Sequence, residues 1–270
     1  MKKVLLMTVI AVAVMSFIGC GKKYRDLAEI EKSGELVVFT DARWAPYEYM
    51  GDGGKVEGID IDIANAIAND LGVKLRIINA DFDGFSLAIQ NGQADIAVSA
   101  ITITKEREES LDFSIPYDNS RQYIIKKENN NSIQSLNDLA GLRIGVHLGT
   151  TGDFIVSDQI NNGVLKGTGA QVVQYKSLQE AILALKKGDL GAVVCDIALA
   201  KNLATVNKGL SAIEGVFADG SIQEELYGVA VAKGNTKLLE AVNKSLTKLL
   251  DSGAIDKSKL YHSENSAITK

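Results

Sequence analysis

Aromatic and acidic side chains are concentrated at residues 40–49, directly after a predicted strand. This stretch holds Asp41, the only tryptophan of the chain, Trp44, and two tyrosines, Tyr47 and Tyr49. Ligands of α/β proteins bind at the loop ends of parallel strands, where an aromatic face can cover an apolar stem or meet a cation. The alternative is a core tryptophan with tyrosines on the surface. We expect these side chains to form one wall of a small-molecule site.

An anion-binding arrangement is predicted at residues 99–107, where a strand ends and a helix begins. Thr104 is a typical N-cap residue, and Arg107 lies one turn into the helix. Backbone N–H groups at a helix start attract anions, and an arginine can add a bidentate contact to a carboxylate. An isolated arginine at such a position is more often solvated, so this assignment depends on the other groups nearby.

A third polar stretch, Gly149–Asp153, follows another predicted strand and offers hydroxyl and N–H groups at a helix start. It is not a phosphate loop, because the lysine and the spacing of that motif are absent. Asp196 comes after the predicted strand Leu190–Val194 and could present a carboxylate to an ammonium group. Its alternative role is that of a helix N-cap.

Together these residues match a small zwitterion such as a free amino acid. Arg107 and the helix-start N–H groups would bind an anion, Asp196 would accept from a cation, and Trp44 and Phe82 would provide aromatic cover. The sequence lacks both a nucleophile paired with a base and a cluster with metal-ligand spacing. We therefore expect a binding protein without enzymatic activity and without a cofactor.

The elements that position these residues alternate along the chain. Short runs rich in Val and Ile alternate with helical patterns, which predicts an α/β fold with mostly parallel sheets. Apolar residues at 59, 63, 66, 67 and 71, at 178, 181, 182 and 185, and from 238 to 250 recur at helical spacing. The predicted strands are Glu35–Thr40, Lys74–Asn79, Ala94–Ser99, Tyr123–Lys126, Leu142–His147, Gln171–Tyr175, Leu190–Val194 and Gly228–Ala232.

A helix, a glycine turn and a buried strand follow one another twice, near residues 92–98 and 188–194. This repetition indicates two similar lobes. The polar stretches Lys126–Gln134 and Ala218–Glu225 are predicted connectors. Two such connectors would make the second lobe an insertion, after which the chain returns to the first.

The N-terminal residues have the pattern of an export signal. Lys2 and Lys3 precede the uncharged run Val4–Gly19, which is shorter than the roughly 20 residues of a membrane-spanning helix. Phe17–Cys20 resembles the lipobox of bacterial lipoproteins, so Cys20 is predicted to become the lipidated first residue of the mature chain. The alternative is an ordinary cleaved signal with a chance cysteine.

Composition and cysteine content exclude several classes of protein. The chain has 270 residues, a formal charge of −5 and a pI near 5.2, which argues against nucleic acid as a partner. Two cysteines cannot build a disulfide scaffold or a four-ligand zinc site. Cys195 lies in an apolar run and is predicted to pack in the core rather than to act as a catalytic thiol.

Six motifs in this sequence carry a family resemblance: Trp44–Tyr49, Gly58–Asp62, Phe82–Gly84, Ile101–Arg107, Asp112–Tyr117 and Gly149–Asp153. Through these motifs the sequence resembles the amino-acid-binding solute receptors of ABC importers, in their family 3 form. The resemblance covers nearly all of the mature chain. The resemblance implies a two-lobed, type II periplasmic-binding-protein-like α/β fold. In that fold the second lobe is inserted in the first, two hinge strands join them, and the lobes close on the ligand.

The resemblance also implies which residues hold the charged groups of an amino acid. Arg107 would bind the α-carboxylate, assisted by Thr102, by the backbone near Ala100 and, from the other lobe, by Thr151. Asp196 would accept from the α-ammonium group.

For the ligand side chain, the resemblance implies that Trp44 and Phe82 enclose it and that Asp41 approaches its tip. An acid near the tip would suit a basic side chain such as that of arginine or lysine, or the amide of glutamine. We therefore expect a polar or basic amino acid.

The expected protein is an exported monomer, anchored to the membrane through lipidated Cys20, that delivers its ligand to the permease subunits of an ABC transporter. Two alternatives are a cyclohexadienyl-dehydratase-like enzyme on the same fold and a sensing module for a separate receptor. The predicted segments are a signal peptide at 1–19, a tether at 20–34, lobe 1 at 35–121, lobe 2 at 122–222, and the rest of lobe 1 with a C-terminal tail at 223–270.

Overall fold

The structure, a computed structural model, describes residues 24–216, 221 and 223–266. The predicted signal peptide and Cys20 therefore lie outside the described residues. The strands are β1 (Glu35–Thr40), β2 (Arg43–Trp44), β3 (Glu48–Met50), β4 (Val56–Glu57), β5 (Lys74–Asn79), β6 (Ile96–Ala97), β7 (Leu111–Phe113), β8 (Asp118–Lys127), β9 (Arg143–His147), β10 (Gln171–Tyr175), β11 (Ala192–Asp196), β12 (Leu210–Glu214), β13 (Glu224–Tyr227) and β14 (Ala230–Ala232).

The helices confirm the predicted periodicity at three places, residues 59–70, 178–187 and 236–251. They are α1 (Leu27–Ser33), α2 (Ile59–Asp70), α3 (Phe85–Gln90), α4 (Lys105–Glu108), α5 (Thr151–Asn161), α6 (Leu178–Lys187), α7 (Ile197–Val206), α8 (Thr236–Asp251) and α9 (Ala254–Asn265), with short 3₁₀ turns at Phe82–Gly84 and Leu136–Leu139. Within the described ranges, no helix is both long enough and apolar enough to cross a membrane.

Lobe 1 is built on a five-stranded sheet in the order β5-β1-β6-β14-β7. Strands β5, β1 and β6 are parallel, whereas β14 runs antiparallel to β6 and β7. Helix α2 packs on this lobe through Ile59, Ile63 and Ile67, which are each at most 1 % exposed. Their spacing places all three on one helix face, so the helix predicted from this pattern is confirmed. A small antiparallel sheet, β2-β3-β4, completes the lobe.

Lobe 2 has a sheet in the order β10-β9-β11-β8-β12. Strands β10, β9 and β11 are parallel, and β8 runs antiparallel to both of its neighbours, β11 and β12. Cys195 on β11 is a free thiol and is 1 % exposed within the core, which confirms its packing role. In each of these orders four of the five strands point in the same direction, as predicted for mostly parallel sheets. The exception is the strand that arrives from the other lobe, which is β14 in lobe 1 and β8 in lobe 2.

Two strands carry the chain between the lobes. Strand β8 begins after β7 of lobe 1 and continues into the sheet of lobe 2, and β13 leads back to β14. These two strands pair antiparallel, with Ser120 opposite Glu225. The chain therefore passes from lobe 1 into lobe 2 and returns.

The first predicted connector is wrong in position. Lys126 belongs to β8, so the stretch 128–134 joins two elements of lobe 2 rather than two lobes. The last two residues of the second, Glu224 and Glu225, begin β13, which does pass between the lobes. Both crossing strands carry polar side chains where they pass the cleft, such as Ser120, Gln122 and Glu225, all at most 6 % exposed. The apolar pattern that marks a buried strand is therefore missing there.

Candidate ligand-binding site

A small cavity lies between the two lobes. Lobe 1 and lobe 2 both contribute to its lining, and each lining side chain is almost fully buried. The cleft is thus closed in this structure. The lining residues are Trp44, Phe82, Ser99, Ala100, Thr102 and Arg107 from lobe 1, with Thr150, Thr151 and Asp196 from lobe 2.

Arg107 is the cation of this cavity. Thr104 caps helix α4 by accepting from the Arg107 N–H at 3.2 Å, which fixes the helix start. The guanidinium donates to the carbonyl of Thr102 at 2.7 Å and, across the cleft, to that of Gly149 at 3.1 Å. Its carbon also lies 5.6 Å from the centre of the Phe82 ring. Burial lowers the pKa of Arg107 to about 10, so the side chain stays charged at neutral pH.

Ala100 lies in the left-handed backbone region, with φ of 43°. This conformation is strained for a residue with a Cβ atom and needs support from its surroundings. The Ala100 N–H donates to Asp60 at 2.6 Å, and the preceding Ser99 hydroxyl donates to Glu48 at 2.7 Å. The backbone N–H predicted to assist the ligand is therefore used inside lobe 1. Ala100 contributes to the cavity wall instead.

Glu48 and Asp60 form a buried pair of acids behind that wall, and both are completely inaccessible to solvent. Burial raises the pKa of Asp60 to about 7 and raises that of Glu48 well above its ordinary value. Two carboxyl groups this close and this buried cannot both be charged, so they hold a proton. With the Tyr117 hydroxyl, which donates to Asp60 at 3.0 Å, they support the Ala100 turn.

The aromatic walls come from separate elements of lobe 1. Trp44 belongs to β2 and Phe82 to the first 3₁₀ turn, and each is 7 % exposed. The His147 ring of lobe 2 lies against both, with ring centres 5.6 Å from Trp44 and 5.9 Å from Phe82. His147 was not predicted as a site residue, because its contact with Trp44 joins positions far apart in the chain.

Asp41 does not line the cavity. Its two carboxylate oxygens accept from the Arg43 guanidinium, at 2.6 Å each, and one of them also accepts from the Phe82 backbone N–H at 3.0 Å. Asp41 therefore lies one layer behind the wall and holds Phe82 in place. This geometry does not favour the predicted contact between Asp41 and the end of the ligand side chain.

Asp196 is the carboxylate of the cavity, at the end of β11. It accepts from Gln122 Nε2 at 2.8 Å, from the Ser120 hydroxyl at 3.4 Å and from the Tyr227 hydroxyl. Although Asp196 occupies the N-cap position of α7, its side chain makes no capping hydrogen bond. Burial raises the pKa of Asp196, and nearby Arg107 opposes that rise.

Glu225 on β13 is a further acid of the cleft that sequence reasoning missed. It accepts from the Thr102 hydroxyl at 3.3 Å and from Gln122 Nε2 at 3.1 Å, so it contacts both lobes. Burial raises its pKa to about 8, and the neighbouring charge of Asp196 adds to the effect. No signal in the sequence reveals it, because Glu224–Tyr227 alternates in exposure but not in polarity: the acid Glu225 is buried and Leu226 is exposed.

The arrangement is suited to binding rather than to metal chemistry. Among the described residues there is no group of three or more side chains that could hold a metal ion. A buried cation on one lobe and a buried carboxylate on the other complement a ligand that carries both charges. The aromatic walls can cover an apolar stem between them.

Comparison with known proteins agrees with this geometry. Residues 36–262 match the family profile of bacterial extracellular solute-binding proteins, family 3. The chain is 32 % identical, over 92 % of its length and 91 % of the other protein, to a probable histidine-binding protein of Neisseria gonorrhoeae.

Two solved structures are similar over most of the chain. The amino acid ABC transporter substrate-binding protein AbpA of Streptococcus pneumoniae, bound to L-arginine, has a TM-score of 0.82 and 32 % identity, covering 90 % of this chain and all of that one. An ancestral amino-acid-binding protein, AncCDT-1, described as a precursor of cyclohexadienyl dehydratase, has a TM-score of 0.75 and 33 % identity over 86 % of this chain and 96 % of that one.

Proposed function

Because the chain belongs to the bacterial extracellular solute-binding proteins of family 3, we propose that it is the extracytoplasmic binding component of an ABC importer for amino acids with polar or basic side chains. The relative from Neisseria is named for histidine, and the structure from Streptococcus contains arginine. Both ligands have a polar, nitrogen-rich side chain.

The observation that carries this proposal is the pairing of Arg107 and Asp196 across one closed cavity. Arg107 binds the α-carboxylate, with the Thr102 and Thr151 hydroxyls beside it. Asp196 accepts from the α-ammonium group. A zwitterion loses water from both charges when it enters, so each charge needs a partner of this kind. A hydrogen bond to a charged group contributes about 1.5–3 kcal/mol.

Trp44 and Phe82 enclose the side chain of the ligand. They provide an apolar surface for its methylene stem and a π-face for a cationic end. Asp41 acts indirectly, because its hydrogen bond to the Phe82 N–H holds this wall in position.

Ligand binding closes the two lobes about the crossing strands β8 and β13. Arg107 of lobe 1 donates to the Gly149 carbonyl of lobe 2, so this hydrogen bond forms only when the two lobes are in contact. A ligand that touches both lobes stabilises that state over an open one. Small-angle scattering with and without saturating ligand tests the motion, and an unchanged radius of gyration would contradict it.

The partners are the permease subunits of the importer, which receive the closed, loaded protein. An export signal at residues 1–19 and lipidation at Cys20 place the protein outside the cytoplasmic membrane as an anchored monomer. Mass spectrometry of the native protein tests the lipidation directly. An unmodified Cys20, or a chain cleaved elsewhere, would contradict it.

An enzyme of the cyclohexadienyl dehydratase type is a second candidate, favoured by one observation. Glu225 is a carboxyl group beside the cavity whose pKa is raised to about 8, so it can hold a proton at neutral pH as a general acid must. AncCDT-1 is itself described as an amino-acid-binding protein and is connected with this activity only as a precursor of the enzyme. Conversion of a cyclohexadienyl carboxylic acid by the purified protein would establish this activity, and binding without conversion would exclude it.

A thermal-shift screen against the twenty amino acids is the direct test of the proposed function. A ligand at a hundred times its Kd stabilises the native state by about 2.7 kcal/mol, which is easily seen as a rise in Tm. We expect the largest rise in Tm with a polar or basic amino acid. Calorimetry with that amino acid should then give one binding site per chain. The absence of any shift with all twenty would reject amino-acid binding.

A further inference from the structure

His147 comes from lobe 2 but packs on the aromatic wall of lobe 1, directly beside two side chains that line the cavity. It is the last residue of β9, and its side chain is 3 % exposed overall. The ring contacts Trp44 and Phe82, the two side chains proposed to enclose the ligand side chain. A ligand held by that wall is therefore within reach of the imidazole.

The two ring nitrogens of His147 have different surroundings. Nε2 lies 3.8 Å from an Asp41 carboxylate oxygen. Nδ1 is buried and has no hydrogen-bond partner among the described residues. Buried polar atoms are nearly always paired, so an unpaired one beside a cavity indicates a group that a ligand completes.

The protonation of the ring follows from the same contacts. Burial, the largest effect, lowers the pKa of His147, the nearby Asp41 charge opposes this and Arg43 adds to it; the net result is a lowered pKa, so the ring is neutral at pH 7. The neutral ring carries one proton, and the facing Asp41 carboxylate favours it on Nε2. Nδ1 then has a lone pair and acts as an acceptor.

We propose that His147 is a specificity-determining residue whose Nδ1 accepts a hydrogen bond from a side-chain N–H of the bound amino acid. This role rests on the proposed function, and it defines a ligand class: amino acids with a guanidinium, ammonium, amide or imidazole N–H in the side chain. A carboxylate side chain has no proton to donate at neutral pH. An apolar side chain leaves Nδ1 unpaired, which makes its binding weaker.

The test is a cycle of two ligands and three proteins, measured by calorimetry. The ligands are the tightest-binding amino acid with a side-chain N–H and norleucine, which has the same charged groups and no side-chain donor. The proteins are the wild type, His147→Leu, which removes both ring nitrogens, and His147→Gln, which keeps an acceptor oxygen.

We expect His147→Leu to weaken the N–H ligand by about ten- to a hundredfold, as for loss of a buried hydrogen bond, and to change norleucine by less than about threefold. His147→Gln should retain most of the preference. The proposal is overturned if the ratio of the two affinities is the same in His147→Leu and the wild type. It is also overturned if the tightest ligand of the wild type has no side-chain N–H. If the wild type binds neither ligand nor any other amino acid, the proposed function itself has failed.

A measurement without substitution keeps the test valid if His147→Leu does not fold. The chain has two histidines, so ¹⁵N-labelled histidine gives two ring systems, with His262 as an internal reference. The Nδ1 resonance of His147 should shift toward the hydrogen-bonded range on addition of the N–H ligand and should not do so with norleucine. Equal shifts with both ligands would contradict the proposal.

Discussion

The Lys176 ammonium of lobe 2 lies 2.7 Å from the Asp81 carboxylate of lobe 1, so an ion pair joins the two lobes outside the cavity. The other oxygen of Asp81 accepts from Arg43 at 2.9 Å. Lys176 and Arg43 together lower the pKa of Asp81. Because the pair bridges the two lobes, opening of the cleft would break it, and we expect closure to depend on salt.

Replacement of Lys176 by methionine should weaken ligand binding by up to about fivefold, because an exposed ion pair contributes at most about 1 kcal/mol. The side chains are 62 % and 44 % exposed, so the effect should disappear at high ionic strength. Calorimetry at low and high salt measures it. Lys208→Met, at another exposed lysine of lobe 2, is the control and should have no effect. Identical salt dependence in wild type and Lys176→Met would contradict a role in closure.

Substitution of Arg107 by alanine should lower the affinity for the best ligand at least about a hundredfold, because the ligand carboxylate then loses its only buried cationic partner in the described cavity. Arg107→Lys keeps the charge but loses the planar fork, so an intermediate loss is expected. Arg121→Ala, at a side chain that is 43 % exposed, is the control. Unchanged affinity in Arg107→Ala would mean that the carboxylate binds elsewhere.

Asp196→Asn should reduce affinity by a similar factor, since the amide keeps the shape of the side chain but removes the charge that accepts from the α-ammonium group. The effect should be smaller for a ligand analogue whose α-amino group is replaced by hydroxyl, because that group carries no positive charge. Calorimetry with the amino acid and with its hydroxyl analogue measures this difference in affinity loss. Asp189→Asn, an exposed acid of the same lobe, should bind normally.

The unliganded protein should lose stability as the pH rises from about 6.5 to about 8.5. In the folded state Asp60 keeps its proton to about pH 7 and Glu225 to about pH 8, because burial raises the pKa of each. The unfolded chain has released both protons well below this window, so the free energy of unfolding falls with pH until the folded-state groups release theirs. The fall therefore ends near pH 7 for Asp60 and near pH 8 for Glu225. His147 has the opposite effect on the free energy of unfolding, because burial lowers its pKa. That effect is complete above the ordinary pKa of histidine, so it adds no slope in this window.

Urea unfolding across that window measures this dependence. Glu225→Gln should abolish the fall between about pH 7 and pH 8 and leave a shallower fall up to about pH 7, which comes from Asp60. Glu224→Gln, at the exposed neighbour on the same strand, is the matched control and should keep the full slope. A stability that rises with pH between 7 and 8 in the wild type would show that Glu225 is charged in the empty cleft.

Gly152→Ala should weaken binding several-fold with little effect on folding. A Cβ atom there would lie 2.8 Å from Gln122 Oε1 and 3.2 Å from the Val194 carbonyl oxygen. Gln122 must therefore move, and it is the residue that donates to both Asp196 and Glu225. Gly84→Ala is the control, because a Cβ atom there meets nothing within 4 Å. Normal binding by Gly152→Ala would show that the position of Gln122 is unimportant.

Local patterns predicted the regular elements better than they predicted the cleft. The strands Glu35–Thr40 and Lys74–Asn79 have the predicted bounds, because continuous apolar or alternating runs fix a strand locally. The strand predicted at Tyr123–Lys126 is longer and begins at Asp118. Its first residues are polar because they face the cleft, and so they carry no hydrophobic signal.

The site shows the same division. Trp44, Phe82, Arg107 and Asp196 stand directly after strands or at helix starts, and the fold brings them to one cavity. His147 also stands at the end of a predicted strand, but neither it nor Glu225 could be recognised from its local pattern. Each is recognised by its contacts with residues of the other lobe. A single sequence does not show which surfaces of the two lobes contact each other.

The position of β14 has a consequence for the order in which the protein is made. This strand lies between β6 and β7 in the sheet of lobe 1, yet it comes after every strand of lobe 2 in the chain. A ribosome has therefore synthesised all of lobe 2 before the first sheet can be completed. Until then β6 and β7 expose unpaired backbone edges to other chains. Nascent lobe 1 is the half of the molecule that has most need of a chaperone.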